Sequence, residues 1–224
     1  MRSQRRTFCP EHHFSFADCA HSLDGMEILL VGASGKLGSA VNRSLAAHGH
    51  RVITASRRGG DFQVDLADSA SIADLYVAVG KVDAVVSAAG VTPFKPIREL
   101  TAADYTAAYT SKVLGQIELV RQGIDRIAAD GSFTLITGIL AREPIVTGAA
   151  ASMAGGAVEA FVRAAAIEIA PQRINAVSPS VFTEALDAYG DYFPGFPAVP
   201  LAEVGQAYVR SVETKETGKV YALG

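Results

Sequence analysis

Gly32-Ala33-Ser34-Gly35-Lys36-Leu37-Gly38 follows directly on the apolar run at 28–31 and opens a helical pattern. A buried strand, a tight glycine turn and a helix N-terminus in that order make a phosphate site. Backbone N–H groups and the positive end of the helix dipole converge there, and glycine lets an anion approach the backbone. In that setting the G-x-x-G-x-x-G spacing predicts dinucleotide binding. The rest of the chemistry is bounded by what the chain lacks. Both cysteines (Cys9, Cys19) and three of the five histidines (His12, His13, His21) precede residue 26, which leaves His48 and His50. Those two sit where a helix ends and the second strand begins, the edge of a parallel sheet opposite to its ligand sites. Thiol and imidazole chemistry are thereby set aside, and catalysis must draw on Tyr, Lys, Ser/Thr or carboxylates.

These residues are carried by strand-like runs alternating with helical patterns. Strands are expected over 28–31, 51–55, 62–64 (ending at Asp65), 84–87, 132–137, 174–177 and 219–223. Helices are expected over 37–47, 69–79 with Ser69 as cap, 104–127, 149–169 and 203–212. Such alternation predicts an α/β fold, a doubly wound parallel sheet of Rossmann type in one three-layer domain, with right-handed crossovers. Hydrophobic residues at 49% and charged ones at 19% suit strands covered on both faces. A formal net charge of −3 gives no electrostatic case for nucleic acid or an anionic membrane. No apolar stretch approaches the ~20 uninterrupted residues of a span, so a cytoplasmic protein is expected.

Residues 1–25 are unlike the remainder. Cys9-x-x-His12-His13 with Cys19 carries zinc-ligand types at a spacing that fits no closed tetrahedral site, so no metal is expected. Without an apolar core the segment does not read as a secretory signal. It is expected to be a disordered or non-native extension ahead of Met26, with 26–224 as the working domain.

Over 26–224 the chain resembles the short-chain dehydrogenase/reductase family. The glycine turn stands in the family's place. Val82-Asp83-Ala84-Val85-Val86-Ser87-Ala88-Ala89-Gly90 is similar to the fourth-strand motif that commonly ends Asn-Asn-Ala-Gly. Arg173-Ile174-Asn175-Ala176-Val177-Ser178-Pro179 resembles the sixth strand and nicotinamide turn, and Thr217-Gly218-Lys219-Val220 the last strand. The resemblance implies nucleotide contacts from Gly32, Ser34, Gly35, Lys36, Leu37 and Gly38, from Ala88, Ala89 and Gly90, and from Pro179, Phe182 and Thr183. Thr183 falls one position short of the family's frequent carboxamide contact. Where an NAD site places an acid after the second strand, this chain has Ser56-Arg57-Arg58. Guanidinium suits a 2′-phosphate, and Lys36 could add a second charge, so NADP(H) is the expected cofactor. Solvated loop arginines are the alternative. Asp65, followed by Leu66, resembles the family's adenine contact and could equally cap a turn.

The resemblance fails at the family's proton relay. Aligning Val158-Glu159-Ala160-Phe161-Val162-Arg163 with the run after the usual Lys puts Gly155 in the Lys place, Ala151 in the Tyr place and Gly138 in the Ser place. Lys112 replaces the usual Asn, counted from Gly115. The run 149–170 contains neither Tyr nor Lys. Lys112 could polarise a carbonyl or act as a base if buried, or simply reach solvent. Tyr109 could donate a hydroxyl or merely pack. Thr137 and Ser152 adjoin the Ser and Tyr places, although strand alternation weakens Thr137. Arg142-Glu143 could bind an anionic substrate or form a surface pair. Tyr189, Tyr192, Phe193 and Phe196, within 189–200, could cover a hydrophobic small-molecule substrate or an oligomer contact. The small residues of 149–157 and the family's habit of pairing its fourth and fifth helices imply a homodimer or homotetramer. The expectation is an NADP(H)-dependent oxidoreductase with non-standard catalytic residues. The alternative is a catalytically silent NADP(H)-binding sensor.

Overall fold

The computed structural model describes residues 25–224, so the expectations for the preceding segment and its Cys/His group lie outside the described residues. Seven parallel strands run in the order β3-β2-β1-β4-β5-β6-β7. They are β1 (Glu27–Val31), β2 (Arg51–Ser56), β3 (Phe62–Gln63), β4 (Val82–Ser87), β5 (Ile127–Ile136), β6 (Arg173–Pro179) and β7 (Val220–Leu223). Alternation along β1 divides the core. Leu29 and Val31 pack with Val85, Phe133 and Ile174 on one face, beneath α2 (Ser69–Val79), α4 (Gly115–Gly123) and α5 (Ala149–Glu168). Ile28 and Leu30 pack with Val86, Ile136 and Val177 on the other, beneath α1 (Lys36–Ala47) and α7 (Leu201–Glu213). Two buried faces account for the near-continuous apolar strands. By length and apolarity α5 could cross a membrane, but Ala150, Ala154, Val158 and Val162 are fully buried in the molecule, which makes it a core helix.

The connection order reverses between β1 and β4, and a crevice opens at their carboxyl ends there. Gly32 N–H donates to Ala55 O at 2.8 Å and Ala88 N–H to Val31 O at 2.8 Å, tying the ends of β2, β1 and β4 together. Gly32 has φ of +91°, and a Cβ there would stand 2.8 Å from the Ala88 carbonyl. Glycine is thus required both by conformation and by space.

Three sequence expectations are corrected. The long helix over 104–127 is several elements: α3 (Ala102–Ala108), a π-helical turn (Tyr109–Leu114), α4, and a 3-10 turn (Ile124–Arg126). It starts at the Thr101–Asp104 capping box, and Ile127 already opens β5 opposite Val82. Second, Asp68 rather than Ser69 caps α2, accepting from Ala70 N–H at 2.9 Å. Ser69 donates to Glu118 instead. Third, β5 ends at Ile136, so Thr137 belongs to the loop that follows. Between β6 and α7 lie the short helix α6 (Leu186–Tyr189) and the aromatic loop.

Candidate active site

Two cavities adjoin along the carboxyl edge of the sheet and share Gly90 and Val91. The smaller, about 270 Å³, is floored by Gly32, Ala88, Ala89 and Gly90, with Ser34, Ser56, Arg57, Asp65 and Leu66 on its walls. Gly35, Leu37 and Gly38 shape the turn without lining it, and a side chain on Gly38 would overlap the Gly32 carbonyl. Asp65 stands on the wall, and its Oδ1 accepts from Ala67 N–H at 2.9 Å, the turn cap foreseen as one of its two readings. Ser56 Oγ is spent on the Gly59 carbonyl at 2.6 Å, which holds the Arg57-Arg58 turn. Of the three cations expected at a 2′-phosphate, Arg57 alone lines the cavity. Arg58 does not, and Lys36 reaches away to donate to Glu184 O at 3.2 Å.

The larger cavity, about 440 Å³, lies between the end of β5, α5, the β6 turn and the aromatic loop. Its walls carry Phe94, Ile139, Leu140, Val181, Phe182 and Phe193, with Lys112 the one charged side chain among the described residues. Gly90, at φ +118°, makes room for that lysine, since a Cβ there would stand 2.5 Å from Lys112 Cδ. Lys112 sits in the π-helical turn, a local widening common at functional sites. Its backbone carbonyl accepts from the buried Gln116 side-chain amide at 2.8 Å, and the same amide bridges both backbone groups of Ile136. The turn is thereby anchored to β5. Among the described residues Lys112 Nζ has no hydrogen-bond or ion-pair partner, and burial pushes its ammonium down to about 8.

Ala151, Gly155 and Gly138, the Tyr, Lys and Ser places of the resemblance, all line this cavity and offer no side-chain polar atom. Pro179 and Phe182 also line it, whereas Thr183 is exposed and lies on neither wall. Tyr109 is 47% exposed and off both walls. The i→i+5 bonding of the π-turn means a residue three places earlier no longer shares the face of Lys112. Thr137 reaches the wall, but its hydroxyl donates to Glu159 Oε1 at 3.2 Å. Ser152 turns away into a separate hollow beside Ile145 and Val146. Arg142 does not pair with Glu143. Its guanidinium meets the buried Glu159 at 2.8 Å and Ser178 Oγ at 2.9 Å, behind the cavity rather than in it.

Four contributors escaped the sequence. Phe94 stacks obliquely on Tyr189 and Tyr192, with centroids 6.3 and 6.2 Å apart, and roofs the larger cavity. An aromatic between Pro93 and Pro96, just after the fourth strand, was the available signal. Gln116 and Glu159 act through partners distant in sequence and left none. Ser180, 4% exposed and lining the cavity, has a buried Oγ without a partner among the described residues, which suits a ligand's polar group.

The glycine floor, the Arg57 rim and this unsatisfied hydroxyl fit an extended dinucleotide reaching from the smaller cavity into the larger. Among the described residues no group of His, Cys, Asp and Glu is arranged to hold a metal.

Comparison with known proteins agrees with this fold. The profile of a family described as enoyl-(acyl carrier protein) reductase matches residues 18–223. The crystal structure of the protein lin1944 from Listeria innocua is 49% identical, superposes with a TM-score of 0.86, and covers 88% of this chain and 99% of its own. An uncharacterised oxidoreductase from Methylorubrum extorquens is 28% identical over 75% of this chain and 78% of its own length. A small-chain dehydrogenase solved in complex with NADPH shares the fold at 23% identity, with a TM-score of 0.80 over 89% of this chain and 96% of that one.

Proposed function

The chain belongs to the short-chain dehydrogenase/reductase family, and on that premise we propose that it is an NADP(H)-dependent oxidoreductase acting on an apolar carbonyl or alcohol beside Lys112. One observation carries the reading: a glycine-floored cleft rimmed by Arg57 runs into an apolar cavity whose single charge, among the described residues, is the Lys112 ammonium. Backbone N–H groups of the Gly32–Gly38 turn would bind the pyrophosphate, Arg57 the 2′-phosphate, and Pro179, Ser180 and Phe182 the nicotinamide end. Bound NADPH supplies the electron pair and hydrogen that reduce a carbonyl.

The chain's own residues do the remainder. Phe94, Tyr189 and Phe193 exclude water from the substrate, which strengthens every charge interaction inside. Lys112, with Nζ free, stands where it can hydrogen-bond a carbonyl oxygen, stabilise negative charge building there, and pass it a proton. An ammonium that titrates at about 8 is mostly charged at pH 7 and still releases its proton readily. In the oxidative direction the neutral amine would take the proton back. Gln116 acts as a positioning residue by holding the Lys112 turn against β5. The comparisons lend no support to the binding-only alternative.

Self-association is part of the proposal. Met153, Ala157, Ala160, Ala164 and Ile167 form an exposed apolar stripe on α5, at the four-and-three spacing of a helix–helix seam. A homodimer through α4 and α5 would cover it.

Calorimetric titration with NADPH, NADH and their oxidised forms is the deciding experiment. NADPH-selective binding is expected, and no binding of any of the four would overturn the proposal.

A further inference from the structure

We propose that Lys112 also captures aldehydes covalently, as a reversible imine inside the apolar cavity, an activity that needs no nucleotide. Nucleophilic attack requires an amine with a free lone pair, a route for the carbonyl carbon to reach it, and surroundings that shed water. Lys112 meets all three conditions. Among the described residues its Nζ has neither a hydrogen-bond acceptor nor a carboxylate, and no acid stands on the wall; Tyr189 is the only other titratable side chain there. The cavity of about 440 Å³ is within the range that holds small organic ligands. Phe94, Ile139, Leu140, Val181, Phe182 and Phe193 make its walls. These surfaces fit an aromatic or long aliphatic aldehyde and offer few partners for the hydroxyls of a sugar. The same burial that depresses the ammonium raises the fraction of neutral amine.

The reaction is a condensation without redox change. The Nζ lone pair forms a C–N bond to the aldehyde carbon while the C=O π pair moves to oxygen. Both amine hydrogens leave with that oxygen as water, and a C=N bond remains. Expulsion of water into solvent from an apolar enclosure favours the imine, and hydrolysis reverses it.

The other five lysines provide internal controls. Lys36, Lys81, Lys95, Lys215 and Lys219 are all exposed; Lys95 is paired with Asp104 at 2.8 Å. The full chain, without nucleotide, is incubated with 2-naphthaldehyde and sodium cyanoborohydride, which fixes imines as stable secondary amines, and the adducts are mapped by peptide mass spectrometry. Lys112 is expected to label at least about tenfold faster than any of the other five, since each tenfold gain in free amine needs only one pKa unit of depression. Phe94→Ala should lower that preference, and glyceraldehyde should show none. Labelling spread evenly over the exposed lysines, or sparing Lys112, overturns the proposal. The mapping is done on the wild-type chain, so no variant has to fold. Because nucleotide is absent, failure here leaves the calorimetric result standing, and failure of NADPH to bind leaves this one standing.

Discussion

Lys112 carries a cost that makes its burial measurable. Its proton is held less tightly in the folded chain, at about 8, than at the ordinary lysine value of the unfolded chain, because the charge is desolvated. Between those two values the unfolded chain binds more protons, so stability rises with pH; below about 8 the full cost of the buried charge is present. Lys112 keeps partial exposure at the cavity wall, so the cost lies below the roughly 3 kcal/mol that full desolvation at this shift would carry. Tyr76 and Tyr208, pushed up by burial, work the other way once unfolded tyrosines ionise, which confines the rise to roughly pH 8–10. Lys112→Met should therefore stabilise the chain by about 1–2 kcal/mol at pH 7 and flatten its pH dependence, read by urea unfolding across pH 7 to 10. The same variant should lose turnover while keeping NADPH affinity. A destabilised variant would mean that the amine is partnered after all, and unchanged turnover would remove it from catalysis. Arg57 bears on the other cavity. Arg57→Ala should weaken NADPH by about tenfold or more, the worth of a charge-assisted phosphate contact, and leave NADH unaffected.

The π-helical turn is the element on which the proposed active site depends. Gly115, immediately after it, packs so closely on Leu66 that a Cβ would stand 2.5 Å from the Leu66 carbonyl and 2.8 Å from its Cβ. Gly115→Val should cost about 1–3 kcal/mol in thermal or urea unfolding. It should also weaken nucleotide binding, because Leu66 walls the smaller cavity. Equal NADPH affinity in the variant would uncouple the turn from the cleft. Strands β1 and β4 were legible in the sequence because both of their faces are buried, so their apolar runs at 28–31 and 84–86 are unbroken. The glycine turn was legible because its position between strand and helix is local. The break in the helix over 104–127 was not. Its apolar residues keep a helical period, while the π-turn is held by Gln116 bridging to Ile136, twenty residues away. For that reason Lys112 could be singled out by counting from Gly115, yet Tyr109, on the far side of the widened turn, could not be discarded. Glu159 drew attention only as a marker of register. Its partners Thr137 and Arg142 come from the connection after β5 and Ser178 from β6, and sequence proximity instead favoured Arg142 with Glu143.

At the level of the whole molecule, α5 faces in two directions. One side walls the larger cavity through Ala151 and Gly155 and carries the buried Glu159. The other presents Met153, 39% exposed, and Ile167, 82% exposed, at either end of a run of small residues. A helix whose inner face is already packed gains nothing from exposed apolar residues unless a second surface covers them. Alanine at the middle positions lets two such helices approach closely. Ala160→Arg places a charge at the centre of that seam without touching the inner face. It should convert a dimer into a monomer, read by light scattering after size exclusion, with the far-ultraviolet circular dichroism unchanged. Because the cavity wall is the opposite side of the same helix, the monomer should also bind substrate less tightly while its Gly32–Gly38 turn, built on β1 and α1, keeps NADPH. A wild-type chain that is monomeric at every concentration would refute the seam. A monomeric variant with full substrate affinity would show instead that α5 is held firmly enough by the sheet to shape the cavity alone.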